Sequence, residues 1–281
     1  MNQRIGIIGA SGWIGRHLTT ALEKKGHTVI GFSRSAREGW RQWDTCSVPD
    51  LSGLDAVINL AGEAVDQRWT DSNKKAFRES RVNLTNFLVE GIAGTEVKVL
   101  LNASGVGFYG SCGDEILTEK TPAGSGYLAQ LCVDWEDAAA QAPCRSVFLR
   151  TGVALGEGSR AWKKLKAVFS LGVGGRLGDG CQWMPWIHLA DELGAIIHCL
   201  ENEISGPINL AAPECVTNQE FTKILAKALK RPALFPAPAF ALRLALGEFA
   251  DEGLLASLRV KPELLLESGY QFQFPDLEGA I

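Results

Sequence analysis

No two cysteines in this chain stand in C-x-x-C spacing, and its four histidines are scattered. A zinc site needs clustered thiolates or imidazoles, so no metal centre is expected. The seven cysteines, at 46, 112, 132, 144, 181, 199 and 215, are odd in number and dispersed. That suits small buried side chains in a reducing compartment better than a disulfide framework. Positive charge is not in excess either. A net charge of −4 and a pI of about 5.7 offer no basic surface to nucleic acid or anionic lipid. No apolar run reaches membrane-spanning length, and no charged and apolar leader pattern precedes the first strand. A cytoplasmic location is the resulting expectation. No period of about 20–50 residues recurs, which removes solenoids and propellers.

What is present is alternation. At 281 residues and 46% hydrophobic, the chain can fill one full core, or one plus a small lobe. Apolar strand-like runs at Arg4–Ile8, Thr28–Ser33, Ala56–Leu60, Val97–Asn102 and Ser146–Arg150 alternate with helical stretches. The helices are expected near Ile14–Lys25, Asp71–Ile92 and Tyr127–Ala140. Near-continuous apolar strands between helices predict a parallel sheet covered on both faces, an α/β fold of the doubly wound Rossmann type.

After Thr151 the pattern changes. Gly172-Val173-Gly174-Gly175 and Gly178-Asp179-Gly180 form a glycine-rich stretch expected to lie over a cleft. Ile208–Leu210 reads as a strand returning to the main sheet, and Thr217 with Glu220 as a capping box opening a helix that ends near Lys230. Beyond Pro232, Pro236 and Pro238, the leucine-rich runs Ala239–Leu246 and Leu254–Leu258 read as buried helices, and Tyr270–Phe274 as a last short strand. The expected organisation is a Rossmann domain over 1–155, with 181–212 returning to it. A smaller C-terminal α/β lobe on the substrate side takes 156–180 and 213–281.

The most informative segment is Gly9-Ala10-Ser11-Gly12-Trp13-Ile14-Gly15, placed between the first strand and the first helix. Gly9 permits the tight turn, Gly12 the close approach of backbone to a pyrophosphate, and Gly15 tight packing of helix on sheet. The helix N-terminus adds unpaired N–H groups. Where NAD-binding folds carry an acid at the end of the second strand, this chain has Ser33-Arg34-Ser35. A carboxylate there would repel a 2′-phosphate, whereas a guanidinium pairs with it in two-pronged geometry, so NADP(H) is the expected cofactor. Asp44 is placed to meet the adenine side, and Leu60-Ala61-Gly62 to end the next strand against the dinucleotide.

These segments, with Asn102–Gly110, Trp135-Glu136, Leu149–Gly156, Gln182–Asp191, Asn209–Pro213, Arg259–Pro262 and Gly269–Phe272, resemble the extended short-chain dehydrogenase/reductase superfamily. Within it the chain is similar to the YfcH-like epimerase family of atypical members, whose C-terminal lobe has no characterised role. The resemblance implies a Rossmann nucleotide domain, NADP(H), and a nominal sugar-nucleotide epimerase or oxidoreductase activity. It places Ser104 at or one residue from the superfamily's catalytic Ser/Thr, Arg81 at a cofactor-contacting position, and Trp183, Trp186, His188 and Asp191 along the substrate cleft.

The superfamily's tyrosine is present as Tyr127, but its Tyr-x-x-x-Lys lysine is replaced by Leu131. Residues four apart share a helix face, where a lysine would lower the tyrosine's pKa. Without it Tyr127 is a proton donor but a poor base, which weakens alcohol oxidation and leaves carbonyl reduction open, with Ser104 polarising the oxygen. A ring packed beneath the ligand is the other reading of Tyr127. Tyr109 is either a second acid or a loop-shaping residue, and His188 is read as a hydrogen-bonded structural residue or cleft lining in preference to a general base. Two functional expectations stand. One is an NADP(H)-dependent enzyme acting on a nucleotide sugar or a carbonyl compound, as monomer or homodimer. The other is an NADPH-binding redox sensor or interaction protein with little turnover.

Overall fold

The computed structural model describes residues 2–172 and 174–281; Val173 of the glycine-rich stretch lies outside them. In chain order its strands are β1 (Arg4–Ile8), β2 (Thr28–Ser33), β3 (Arg41–Gln42), β4 (Ala56–Asn59), β5 (Val99–Gly105), β6 (Ile116–Leu117), β7 (Arg145–Thr151) and β8 (Val153–Leu155). They continue with β9 (Trp183–Met184), β10 (Trp186–His188), β11 (Gly206–Leu210), β12 (Val216–Thr217) and β13 (Arg259–Val260). The helices are α1 (Trp13–Lys24), α2 (Asp71–Arg78), α3 (Leu84–Ile92), α4 (Tyr127–Ala140), α5 (Arg160–Ser170), α6 (Leu189–Glu201), α7 (Asn218–Leu229), α8 (Ala239–Leu246), α9 (Glu263–Glu267) and α10 (Leu277–Ala280).

Seven strands form one parallel sheet in the order β11-β7-β5-β4-β1-β2-β3. The order reverses direction at β1, with β2 on one side and β4 on the other. Such a switch point opens a crevice at the strand C-termini, where doubly wound sheets bind ligands. Ile5, Ile7, Ile58, Leu101 and Leu149 are buried on one face of the sheet against Leu18 and Leu22 of α1 and Ile196 and Leu200 of α6. Ile8, Val57 and Leu100 occupy the other, against Leu84, Leu88 and Ile92 of α3. Strands with both faces buried must be apolar throughout, which is why they read as continuous runs.

The expected helix over Asp71–Ile92 is one helical run broken by a wide π turn at Glu79–Asn83. Thr70 caps it, its Oγ1 accepting from the Asn73 amide. The capping box of Thr217 and Glu220 opens α7, and Lys230 ends it in the left-handed conformation at φ +51°.

Three expectations about the C-terminal segment fail. Tyr270–Phe274 is not a strand, because its amides go to a carboxylate: Asp191 accepts from Gln273 N and Phe274 N at 2.7 and 2.9 Å. Leu254–Leu258 is irregular beyond a π turn at Ala250–Leu254. Ala239–Leu246 is a helix but not a buried one. None of its residues is buried, and Phe240 and Leu244 are 73% and 78% exposed. Gly174 and Gly175 pack on the Phe169 ring and the Phe235 carbonyl, so this part of the glycine stretch lies on the proline-interrupted segment. No helix among the described residues is long and apolar enough to cross a membrane.

Candidate dinucleotide cleft

β1 runs directly into Gly9, whose φ of +82° turns the chain. A Cβ on Gly9 would stand 2.9 Å from the Leu60 carbonyl carbon, and one on Gly15 only 2.3 Å from the Gly9 oxygen. These two glycines are therefore required by space as well as by backbone angle. Gly12 donates its N–H to Gly9 O at 2.9 Å and serves as the N-cap of α1 with no side chain closing the helix end. The first-turn amides of α1 are left for an anion. A cradle that Cβ atoms would fill, topped by open helix amides, fits a pyrophosphate. Ala10 is buried beneath it and Ser11 is exposed at its rim. Ile14 packs on the core, while Trp13 leans over Gly156 and Gly158 and donates Nε1 to the Glu157 carbonyl at 2.9 Å. Trp13 thus ties the turn to the loop after β8.

At the end of β2, Arg34 is exposed and its guanidinium forms no hydrogen bond or ion pair among the described residues. Ser33 Oγ accepts from the Ser35 amide at 3.3 Å, fixing the turn that carries it. Asp44 is engaged locally. The Cys46 amide and the Ser47 hydroxyl hold its carboxylate below the usual range. Beyond β4, Leu60 N bonds Ile8 O and Ala61 N bonds Asn59 Oδ1, carrying the chain alongside β1. Asn59 is fully buried, and its Nδ2 donates to Asn102 Oδ1 at 2.7 Å and Thr85 Oγ1 at 3.2 Å. Thr85 in turn accepts from Trp135 Nε1. This network locks β4, β5, α3 and α4 together. The asparagines stood inside segments already singled out, but nothing in their spacing announced the pairing.

Arg81 sits in the π turn, a feature common at functional sites. Its guanidinium lies 5.0 Å from the Trp135 ring centre and donates Nη1 to the Glu63 carbonyl at 2.9 Å. It approaches Gly62 so closely that a Cβ there would be 3.1 Å from Cζ and Nη2.

The candidate hydroxyls are engaged within the protein. Ser104 is 8% exposed, and its Oγ donates to Glu136 Oε1 at 2.6 Å. Glu136 also receives Arg150 through Nε at 2.9 Å and Nη2 at 2.7 Å, a buried two-pronged pair. Arg150 Nη1 donates to the Tyr109 hydroxyl, which donates to Asn209 Oδ1 at 2.7 Å. Tyr109 is wholly buried, and burial pushes its phenol up. Ser104 and Tyr109 are thus members of a buried network joining β5, α4, β7 and β11. Arg150, central to it, was visible in the sequence only as part of a motif.

Tyr127 starts α4 and gives its hydroxyl proton to the Lys74 carbonyl at 2.9 Å. Burial holds this phenol above its ordinary value, outweighing the opposing pull of Lys74 and Arg81. Leu131 is 3% exposed in the cluster of Trp69, Phe77 and Trp135, and a cation from another helix, Lys74 of α2, has its Nζ 4.8 Å from the Tyr127 ring centre. Tyr127 borders a cavity of about 340 Å³ with Lys74, Arg78, Leu131 and Asp134, between α2 and α4.

The expected substrate-side residues divide. Trp183 is half-buried, donates Nε1 to Asp114, and carries Arg259 over its ring at 4.4 Å. Trp186 does not border a cleft: it is fully buried and bonded to the Glu214 carbonyl. His188 caps α6, its Nδ1 accepting from Ala190 N while the ring packs 3.9 Å from Phe274. Burial lowers its pKa against the pull of Asp191. On α5, Arg160 and Lys164 hold Asp66, and Lys166 holds Glu157. α5 is thereby clasped to the loop after β4. Missed altogether was Glu192, which is 2% exposed, with Oε2 unbonded and burial raising its pKa to about 8.

Comparisons with known proteins show the family. Residues 5–211 match the NAD dependent epimerase/dehydratase family. The chain belongs to that family. Residues 237–281 match a domain of unknown function, DUF1731. Epimerase family protein MT2273 of Mycobacterium tuberculosis is 42% identical over 100% of this chain and 97% of its own length. The crystal structure of human epimerase family protein SDR39U1 with NADPH superposes with a TM-score of 0.94 at 34% identity, covering 99% of this chain and 97% of that one. A nucleoside-diphosphate sugar epimerase from Corynebacterium glutamicum gives 0.85 at 38% identity, covering 100% of this chain and 57% of that one. The family relation accounts for the Rossmann sheet and the glycine turn.

Proposed function

We propose that this chain is an NADP(H)-binding member of the epimerase family that reduces a carbonyl compound rather than epimerising by alcohol oxidation. The observation that carries the cofactor is Arg34, an exposed guanidinium without an acidic partner at the end of β2, beside an intact glycine cradle. The human relative whose structure was determined with NADPH supports the same choice. Gly9 to Gly15 would hold the pyrophosphate, Ser33 to Ser35 the 2′-phosphate, and Leu60 to Gly62 the backbone wall beside the ribose.

Bound NADPH supplies a hydride. The direction of reaction follows from where this chain keeps its protons. Oxidising an alcohol requires a base, and the Tyr127 phenol is held protonated with Leu131 in place of a lysine. Reduction requires a proton at the carbonyl oxygen, which Tyr127 Oη would supply on exchanging its bond to the Lys74 carbonyl for the substrate. A second reading, cofactor binding with little turnover, is favoured by the bonding of both hydroxyls: Ser104 donates to Glu136 and Tyr127 to the Lys74 carbonyl.

Oxidation of NADPH followed at its absorbance band, against a panel of carbonyl compounds and nucleotide sugars, separates the two. Turnover that falls about 10²-fold or more in Tyr127→Phe supports the reductase. Tight NADPH binding with no turnover above that of Tyr127→Phe leaves the binding protein.

A further inference from the structure

The N-terminus of α4 is closed by a residue from the other end of the chain. Its N-cap is Gly126, at φ +110°, which has no side chain to bring to the helix. In that place Glu252 accepts from Tyr127 N at 3.1 Å through Oε1 and from Leu128 N at 2.7 Å through Oε2. A Cβ on Gly126 would stand 2.8 Å from Glu252 Oε2, so the glycine and the acid fit as a pair. A carboxylate on two first-turn amides, at the positive end of the helix, makes a strong cap.

The acid sits on a fixed mount. It lies in the π turn Ala250–Leu254, where Ala250 is wholly buried. Next to it Phe249 packs on Trp69, which also meets the Tyr127 ring. Gln182 Nε2 donates to the Leu254 carbonyl at 3.2 Å and holds the far end of the turn. Just before the turn, Glu248 pairs with Lys74 Nζ at 2.7 Å. Lys74 is the residue whose carbonyl receives the Tyr127 hydroxyl. One short segment therefore grips Tyr127 at both ends: its backbone through Glu252, and its hydroxyl's partner through Glu248. Both acids fall within residues 237–281, matched to the domain of unknown function, whereas Tyr127 and Lys74 fall within the epimerase match.

A proton donor works only when its oxygen is held within reach of the reacting atom. We propose that Glu252 is a positioning residue: this carboxylate of the C-terminal segment fixes the first turn of α4 and thereby sets where the Tyr127 hydroxyl stands. Its effect on rate rests on the reductase reading; its hold on Tyr127 does not.

The chain has three tyrosines, so in NADPH-loaded protein carrying isotope-labelled tyrosine the NMR signal of Tyr127 Cζ is assigned from Tyr127→Phe. That signal, NADPH affinity and turnover of a carbonyl substrate are measured in Glu252→Ala, Glu252→Gln and Thr217→Ala, the last removing the cap of another helix, α7. In Glu252→Ala kcat is expected to fall roughly tenfold or more, with KM and NADPH affinity within about threefold. The Tyr127 signal moves or broadens, while those of Tyr109 and Tyr270 stay. Glu252→Gln, which keeps the shape and one acceptor oxygen, shows smaller changes of the same kind and carries the test if Glu252→Ala does not fold. Thr217→Ala keeps the wild-type kcat and all three signals. A Tyr127 signal unmoved in both Glu252 variants overturns the proposal, whatever the turnover. Retention of a measurable wild-type kcat in both overturns it as well. So does an equal loss of kcat in Thr217→Ala, since the loss would then follow stability. A loss of NADPH affinity as large as the loss of kcat would assign the cap to the cofactor and likewise overturn it. If the wild type turns over no carbonyl compound, yet the Tyr127 signal alone moves in the Glu252 variants, the reductase reading falls and the hold of Glu252 on Tyr127 stands.

Discussion

The two halves of the cleft handle their polar groups in opposite ways. On the β1–β2 side, donors are left open: no side chain caps α1, and the Arg34 guanidinium has no partner among the described residues. On the β5–β7 side, nearly every polar group is satisfied from within. Ser104 is bound to Glu136, Glu136 to Arg150, Arg150 to Tyr109 and Tyr109 to Asn209. Open donors at a surface remain hydrated at little cost, and can exchange that water for a ligand. Buried ones must be paired, and pairing removes them from chemistry. Arg81 breaks the pattern on the second side, since it is half-buried yet has a free edge.

The largest expected effect tests the open side. Gly15→Ala forces a Cβ to within 2.3 Å of the Gly9 oxygen, so the turn must deform. NADPH affinity, measured by fluorescence titration, should fall by roughly 100-fold or more, since the cradle geometry goes with the turn. Retained affinity would mean that the dinucleotide is held elsewhere.

The closed side should respond in stability and not in cofactor affinity. Glu136→Gln leaves the Arg150 charge buried without its partner, and breaking such a pair costs about 3–5 kcal/mol. Chemical denaturation should show that loss, while NADPH binding under conditions where the variant is folded stays within a few-fold. A cofactor-affinity collapse with unchanged stability would erase the division between the halves.

Arg34→Ala is a smaller, sharper test. Losing charge-assisted contacts should weaken NADP(H) by about 1–3 kcal/mol, roughly fivefold to 150-fold, and leave NAD(H) unaffected. Equal weakening of both cofactors would refute recognition of the 2′-phosphate.

A last test concerns pH. Glu192 titrates at about 8 in the folded chain, well above its unfolded value of about 4.3, because burial disfavours its charge. Between those limits the folded state holds more protons than the unfolded state, so stability declines as pH rises from about 4.5 to about 8 and then levels. Melting temperatures of wild type and Glu192→Gln across pH 5–8 should converge at low pH and separate in favour of the variant toward pH 8. Parallel profiles would show that Glu192 carries no such proton.

The same contrast explains what could be read in advance. The glycine turn, β1, β2 and α4 were legible because each depends on neighbours in sequence: a strand's apolar run, a turn's lack of Cβ, a helix's spacing. Tyr270–Phe274 misled because it has a strand's composition, but its amides are captured by Asp191, about 80 residues earlier. The π turn at Glu79–Asn83 left no periodic trace, although it sets where Arg81 lies.

The local order of residues was enough to specify a parallel α/β sheet, a dinucleotide cradle and a cation at the end of β2. Backbone angles and apolar periodicity act over a few residues. Only the folded chain decided which hydroxyls stayed available. Ser104 meets a carboxylate 32 positions away, Tyr127 a carbonyl 53 away and Tyr109 an amide 100 away. A hydrogen bond depends on distance in space, and strand order, not spacing along the chain, brings those partners together.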